Sequence, residues 1–133
     1  MKLTFLTIFL FFLNHTFSFS DNFKFEKIAE LNDPWGSSFI SGNEIIVTEK
    51  SGKIKIINTL KKEILEVQHN LNFLEYGQGG LLDIIYQNNT VWISYTENRI
   101  NLKTSTSIAK AKLNKKELNF KNIFQANPPI DSG

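Results

Sequence analysis

The sequence contains no cysteine, and this absence limits both its stabilisation and its chemistry. Without thiols the chain can form no disulfide. Zinc–thiolate sites, iron–sulfur clusters and cysteine nucleophiles are excluded for the same reason. Only two histidines are present, and one of them, His15, lies in the N-terminal segment described below. The other, His69, stands in a polar turn with no nucleophile or base beside it, so we expect it to be a surface residue.

A strong excess of one charge is missing as well. The chain has 15 basic and 13 acidic residues, which gives a formal net charge of +2. Its lysines and asparagines are scattered, whereas nucleic-acid-binding and membrane-surface proteins need a clustered basic patch. We therefore expect neither nucleic acid nor a membrane surface as a partner.

The first twenty residues have the pattern of a secretory signal peptide. Lys2 forms a short positive region, Leu3–Leu13 an apolar region, and Ser18–Ser20 a cleavage site. Eleven residues are too few to cross a bilayer as a helix, which takes about 20. We expect residues 1–20 to be removed and residues 21–133 to form the mature domain, periplasmic or secreted and without a membrane span. The alternative is an uncleaved membrane anchor.

Helical periodicity is almost absent from the mature part, and short strand-like segments take its place. They are rich in Ile, Val, Phe and Tyr and are separated by Gly, Asn, Asp and Ser. The predicted strands are Phe25–Leu31, Ser38–Ile40, Glu44–Lys50, Lys53–Asn58, Glu63–Val67, Leu81–Tyr86, Val91–Glu97, Ser107–Leu113 and Leu118–Gln125. This pattern predicts an all-β fold.

The predicted strands fall into two similar sets. Thr48-Glu49 ends the second strand of the first set, and Thr96-Glu97 ends the second strand of the other. The run from Asn58 to Ile64 answers to the run from Asn114 to Leu118, and a longer loop, Asn98–Thr106, explains the drift in spacing. Four antiparallel strands repeated every ~40–50 residues are typical of β-propeller blades. We predict about the first two blades of a longer propeller. The alternative is a two-sheet sandwich.

Glycine is scarce, with seven in the chain, yet three stand in the four-residue run Gly77-Gln78-Gly79-Gly80. Loops that enter the inner strands of a propeller open onto its central channel, where binding sites cluster. Pro34–Gly36 and Pro128–Gly133 hold the same position before other inner strands. Glycines let a ligand approach the backbone closely, and Gln78 offers both a donor and an acceptor. The run fits either a binding rim with Gln78 or a plain glycine turn.

Three further side chains have structural interpretations. Asp83 stands inside an apolar run, where a carboxylate is costly unless hydrogen-bonded, so we expect it to accept neighbouring backbone N–H groups. Trp35 and Trp92 are expected to pack between blades.

Four segments carry a family resemblance: Leu31–Gly36 (LNDPWG), Val47–Gly52 (VTEKSG), Gly77–Asp83 (GQGGLLD) and Ile93–Glu97 (ISYTE). In these the sequence resembles the soluble aldose sugar dehydrogenases of the glucose/sorbosone dehydrogenase family, over nearly all of the mature chain. The resemblance implies a six-bladed propeller that binds pyrroloquinoline quinone (PQQ) and calcium at the channel mouth. It also implies oxidation of the C1 hydroxyl of aldoses by hydride transfer to PQQ, with an external electron acceptor. By position, Gln78 would hydrogen-bond a substrate hydroxyl.

The resemblance also implies what the 133 residues leave out. The catalytic histidine is expected in a His-x-Gly-x-Arg segment just beyond Gly133, and most cofactor contacts further on. No catalytic residue and no metal ligand is therefore predicted here, and the chain is interpreted as an N-terminal fragment of such an enzyme. One alternative is a non-catalytic exported propeller that binds a sugar or a protein partner. Another is a calcium-dependent lactonase-type propeller, which would need more carboxylates than Asp83.

Overall fold

The computed structural model describes residues 23–131, so the predicted signal peptide lies outside the described residues. The strands are β1 (Pro34–Ser41), β2 (Glu44–Glu49), β3 (Lys53–Asn58), β4 (Glu63–His69), β5 (Leu81–Gln87), β6 (Thr90–Asn98), β7 (Lys103–Lys112), β8 (Glu117–Leu118), β9 (Lys121–Gln125) and β10 (Ile130–Asp131). A short 3-10 turn, Ile100–Leu102, precedes β7. None of the helical structure in residues 23–131 is long and apolar enough to cross a membrane.

The strands form two sheets in which neighbours pair antiparallel, except that β8 joins the first sheet in parallel with β4. β1 to β4 make the first sheet in chain order, and β5, β6, β7 and β9 make the second. β10 extends the outer edge of the second sheet by pairing with the start of β7. The two sheets pack with β1 against β5, first strand on first strand. The chain therefore forms two blades of a β-propeller, which confirms the predicted fold.

Alternation of apolar and polar residues explains the core. In β6, Val91, Ile93 and Tyr95 are buried while the side chains between them are only half-buried. Successive side chains of a strand point to opposite faces, so these three face the first blade. The core between the blades consists of Ile46, Ile54, Ile56, Val67, Leu81, Ile84, Val91, Ile93, Tyr95, Ala109, Ala111, Leu118 and Phe120. Burial of each large aliphatic side chain contributes about 1.5–3 kcal/mol.

The inner strands of the two blades approach each other closely at Gly36. A Cβ atom there would lie 2.7 Å from the Asp83 Cα and 2.8 Å from the Ile84 nitrogen. Two hydrogen bonds cross the same seam: the Tyr86 N–H donates to the Ser38 Oγ over 3.0 Å, and the Thr48 hydroxyl donates to the Leu82 carbonyl over 2.5 Å. Gly36 is therefore required by backbone proximity between blades.

The predicted first strand, Phe25–Leu31, is wrong. Residues 23–31 form no strand. Ile28 and Leu31 instead line a groove with Trp35 and Ile57, on the face of the first blade turned away from the second. Within residues 23–131 this segment has no neighbouring strand with which to form a ladder, so its strand propensity is not expressed.

The predicted strand Leu118–Gln125 is divided between the two blades. Glu117–Leu118 pairs in parallel with the outer strand of the first blade, and only Lys121–Gln125 belongs to the second. The Asn70 side chain holds the intervening Phe120 by accepting its N–H over 2.8 Å and donating to its carbonyl over 3.1 Å. The predicted correspondence between Asn58–Ile64 and Asn114–Leu118 is therefore wrong. The first run leads into the outer strand β4 of its own blade, whereas the second leads into β8, which pairs with the first blade.

The loop predicted at Asn98–Thr106 is shorter than expected. β6 extends to Asn98 and β7 begins at Lys103, so only residues 99–102 connect them. Pairing continues as far as Asn98 and Thr104. The drift in repeat spacing predicted a loop here, but cross-strand pairing extends the β6–β7 ladder into this stretch.

Candidate functional site

The glycine run before β5 is held in place by the turn after β2. The Lys50 ammonium donates to the Gly77 carbonyl over 2.5 Å, and the Leu81 N–H donates to the Lys50 carbonyl over 3.3 Å. A Cβ atom at Gly80 would lie 2.2 Å from that same Lys50 oxygen. Gly77 and Gly80 both have positive φ, 54° and 145°, which L side chains rarely adopt. The run is therefore a tightly fitted backbone element, as the clustering of glycines indicated.

Gln78 lies at the mouth of an open cleft of about 330 Å³ on the second blade. Its side chain is exposed. The cleft is also lined by hydroxyl, carboxylate and apolar groups of Leu74, Tyr76, Gly79, Leu82, Thr96, Thr104, Ser105, Thr106, Ile130 and Asp131. These residues come from the loop between β4 and β5, which includes the glycine run, and from β5, β6, β7 and β10. Such a set offers several hydrogen-bond donors and acceptors beside one aromatic ring, which suits a neutral, hydroxyl-rich ligand.

The cleft lining contains one acidic side chain, Asp131, and no lysine or arginine. PQQ carries three carboxylates, so a site for it needs cationic or N–H donors. Residues 23–131 also contain no group of three or more His, Asp or Glu side chains placed to hold a metal ion. The described residues therefore do not fit PQQ or calcium by themselves, and we assign none of them to either.

The sequence profile described as Glucose / Sorbosone dehydrogenase matches residues 31–133. The chain belongs to the glucose/sorbosone dehydrogenase family. No curated protein sequence matches the chain at a significant level.

Solved structures show the same fold. A glucose dehydrogenase is 24% identical, with a TM-score of 0.71, and the match covers 77% of this chain and 33% of that one. The soluble aldose sugar dehydrogenase of Escherichia coli is 24% identical, with a TM-score of 0.68 and coverage of 74% and 31%. The PQQ-bound aldose sugar dehydrogenase of Streptomyces coelicolor is 19% identical, with a TM-score of 0.62 and coverage of 77% and 33%. The chain thus spans about a third of the length of each.

In this member of the glucose/sorbosone dehydrogenase family His69 is a structural residue. It is half-buried, and both ring nitrogens are engaged. Nε2 lies 2.7 Å from the Gly52 carbonyl oxygen, and Nδ1 accepts the Leu71 N–H over 3.2 Å. The prediction of a surface histidine is therefore wrong: the imidazole links β4 to the turn between β2 and β3. Nothing in the residues near it could have indicated this, because Gly52 is distant in sequence.

Asp83 behaves as a hydrogen-bond acceptor, as predicted. Its Oδ1 accepts the N–H of Ile84 over 2.9 Å. The side chain is exposed rather than enclosed by the apolar run, because Asp83 lies at an irregularity in the pairing of β5 with β6, between the buried residues Leu81 and Ile84. The Asp83 carboxylate is therefore not buried, and it does not incur the desolvation cost on which the prediction was based.

Neither tryptophan packs between the two described blades, so that prediction is wrong for this pair of blades. Trp35 is 52% exposed and lines the groove on the outer face of the first blade. Trp92 lies on the face of β6 opposite the core residues Val91 and Ile93, with the Lys110 ammonium 5.2 Å from its ring centre. Strand alternation placed both rings on the faces turned away from the shared core.

The residue that sequence reasoning missed is Glu97. Its carboxylate accepts hydrogen bonds from Arg99, Ser107, Asn122 and Gln125, at distances of 2.6 to 3.0 Å. Burial alone would raise the pKa of Glu97, but the hydrogen bonds from Ser107, Arg99 and Gln125 outweigh it and hold the pKa below its usual value. The repeated Thr-Glu pair at positions 48–49 and 96–97 is the one signal in the sequence that points to Glu97, and it indicates a repeat and a family resemblance but not these hydrogen bonds.

Proposed function

We propose that this chain is part of an exported quinoprotein oxidoreductase that oxidises the C1 hydroxyl of aldose sugars. The observation that carries the proposal is the family match over residues 31–133, which includes the GQGG loop and its polar cleft. Structural neighbours named as glucose dehydrogenase and aldose sugar dehydrogenase support a sugar substrate. One of them is PQQ-bound, which supports PQQ as the hydride acceptor, with electrons passing to an external acceptor.

The cleft beside Gln78 has the chemistry that a neutral sugar requires. The Gln78 amide can donate to one hydroxyl oxygen and accept from another hydroxyl group. Thr104, Thr106 and Asp131 provide further polar atoms across the cleft. Tyr76, which is 59% exposed, offers a ring face to the C–H side of a sugar. Gln78 is our sole substrate-binding assignment.

PQQ and calcium remain proposals for the whole protein. When bound, PQQ would supply the redox chemistry, since no side chain among residues 23–131 can accept a hydride. What the described residues provide is the shaped cleft and the positioning of Gln78.

Substitution of Gln78 tests this assignment in the complete gene product loaded with PQQ and calcium. Gln78→Ala should lower kcat/KM for an aldose by about 1–3 kcal/mol of transition-state stabilisation, because a hydroxyl loses its partner. The melting temperature should hardly change, since the side chain is exposed. Steady-state kinetics with glucose and an artificial electron acceptor, beside thermal melts, measure both quantities.

Gln87→Ala is the matched control, because Gln87 is an exposed glutamine at the far end of β5, the strand that follows the Gln78 loop, and does not line the cleft. It should leave both kcat/KM and the melting temperature unchanged. If Gln78→Ala also retains full activity, Gln78 is a turn residue and our site assignment is wrong.

Export is a separate proposal, motivated by the signal-peptide pattern at residues 1–20. Mature protein recovered from the periplasm or medium should begin at or near Asp21. N-terminal sequencing or intact mass measurement decides this, and an intact Met1 on exported protein would contradict it.

A second candidate function is a non-catalytic propeller that binds a sugar or protein partner. The cleft lining favours it, because it offers polar groups and one aromatic ring for a neutral sugar but does not by itself fit PQQ or calcium. Binding of glucose by titration calorimetry, with no turnover when PQQ, calcium and acceptor are supplied, would support this candidate over the dehydrogenase.

A further inference from the structure

The Glu97 carboxylate joins three parts of the second blade. It accepts the Ser107 hydroxyl of β7 over 2.6 Å and the Arg99 guanidinium from the β6–β7 connection over 2.9 Å. From the outer strand β9 it accepts the Asn122 amide over 3.0 Å and the Gln125 amide over 2.8 and 2.9 Å. The side chain of Glu97 is only 12% exposed. These charge-assisted hydrogen bonds are stronger than neutral ones, so they fix β9 against the blade.

β9 leads directly to the wall of the cleft that faces Gln78. The Ala126 N–H donates to the Thr106 carbonyl over 3.0 Å, and Ile130 then pairs with Thr104. Ile130 and Asp131 line the cleft opposite the glycine loop. β10 has only two residues, so its position depends strongly on the strand that precedes it.

The residue before Glu97 reaches the same cleft from the other side. Thr96 lines the cleft, and its N–H donates to the Gly80 carbonyl over 2.9 Å. Because successive residues of a strand face opposite ways, Thr96 contacts the glycine loop while Glu97 holds β9. One dipeptide thus connects both walls of the cleft.

We propose that Glu97 is a positioning residue for this cleft. Its carboxylate holds β9 through the hydrogen bonds from Asn122 and Gln125, here called the Glu97 clasp, and so positions the Ile130–Asp131 wall of the cleft. In acid these hydrogen bonds weaken and the wall is released. The sugar-binding part of the proposal rests on the proposed function above. The clasp itself rests only on the hydrogen bonds of Glu97.

We expect acid to release β9 because a protonated carboxyl group has fewer acceptor oxygens than a carboxylate. Protonation turns one acceptor oxygen into a donor, which then opposes the donors of Ser107, Asn122 and Gln125. The charged or titratable groups facing Glu97 are Arg99 and Tyr95, both from β6 or the connection after it. The hydrogen-bond donors that β7 and β9 contribute are the neutral side chains of Ser107, Asn122 and Gln125.

The sign of the effect follows from the lowered pKa of folded Glu97. A carboxyl group whose pKa is lower when folded stabilises the structure above its unfolded pKa. That stabilisation is lost as the pH falls through the folded value. The clasp is therefore closed at neutral pH and opens only in acid.

Amide hydrogen exchange of the complete protein, followed by mass spectrometry, tests the clasp without any cofactor or sugar. Glu97→Gln should lower the protection factors of residues 121–131, the ratios of the intrinsic exchange rate to the measured rate at the same pH, about tenfold at neutral pH, and further acidification should then change these factors little. Glu49→Gln is the matched control, because Glu49 occupies the equivalent Thr-Glu position in the first blade and pairs with Lys55 over 2.6 Å. It should leave residues 121–131 unaffected.

Gln125→Ala is the second variant, and it guards against misfolding of Glu97→Gln because Gln125 is exposed. It removes one β9 donor and should speed exchange in the same segment while Ser107 and Arg99 remain engaged. If neither variant speeds exchange in residues 121–131, or if exchange rises equally in both blades, the clasp is refuted.

Kinetic measurements with glucose distinguish a failure of the Glu97 clasp from a failure of the proposed function. Glu97→Gln should raise KM for glucose about fivefold while kcat changes less, because the reacting groups are untouched. Faster exchange with an unchanged KM would overturn the positioning role. Full activity of Gln78→Ala would instead overturn the proposed function, whatever the exchange shows.

Discussion

Replacing Gly80 by alanine is expected to lower the free energy of unfolding by about 3 kcal/mol or more. The φ angle of Gly80 is 145°, and a Cβ atom would lie 2.2 Å from the Lys50 carbonyl oxygen. That oxygen accepts the Leu81 N–H, so the clash cannot be relieved without breaking a hydrogen bond between the two blades. Chemical denaturation of the mature protein measures the loss.

Gly42→Ala is the matched control for this substitution. No atom lies within 4 Å of a Cβ built at Gly42, and its φ is not in the left-handed region. Its effect should stay within about 0.5 kcal/mol. Gly79→Ala should fall between the two, because its Cβ would lie 3.0 Å from the Tyr76 carbonyl oxygen. Equal stability of Gly80→Ala and Gly42→Ala would show that the glycine run is not fitted to the Lys50 turn.

Local patterns predicted most strands because alternation and turn residues are local properties. Lys53–Asn58 was predicted with the bounds that the structure shows. Asn88 and Asn89 adopt the two positive φ angles, 50° and 59°, that a two-residue hairpin turn requires. Such signals need no knowledge of the neighbouring blade.

Contacts between distant segments could not be predicted in this way. Glu117–Leu118 has the composition of an outer strand but pairs with Gln68 and His69 of the first blade. Phe25–Leu31 has strand composition yet no partner strand among residues 23–131. In both cases the tertiary environment overrides local propensity.

The candidate site was predicted only in part, for the same reason. The resemblance of GQGGLLD indicated Gln78, since that motif is continuous in sequence. The opposite wall comes from Thr104, Thr106 and Asp131, which reach the cleft through pairing of β7 with β10. Glu97 was missed because its partners on β9 lie 25 and 28 residues away.

Thr48→Val should be the second strongly destabilising substitution, at about 2–4 kcal/mol. Valine has nearly the shape of threonine, so the change removes the hydroxyl with little loss of packing. Thr48 is fully buried, and its Oγ1 accepts the Gly36 N–H over 3.0 Å and donates to the Leu82 carbonyl over 2.5 Å. Valine would leave both backbone groups without this partner at the seam between blades, where water has little access.

Thr96→Val provides the comparison that isolates this seam, because Thr96 occupies the equivalent Thr-Glu position in the second blade. Its side chain is half-buried and lines the open cleft, where water can solvate the groups around it. The loss of stability should therefore be below about 1 kcal/mol. Urea denaturation of both variants in the mature protein measures the difference. A Thr48→Val variant no less stable than Thr96→Val would show that the hydroxyl does not join the blades. A large difference would show that the buried Thr48 hydroxyl helps to join the first blade to the second.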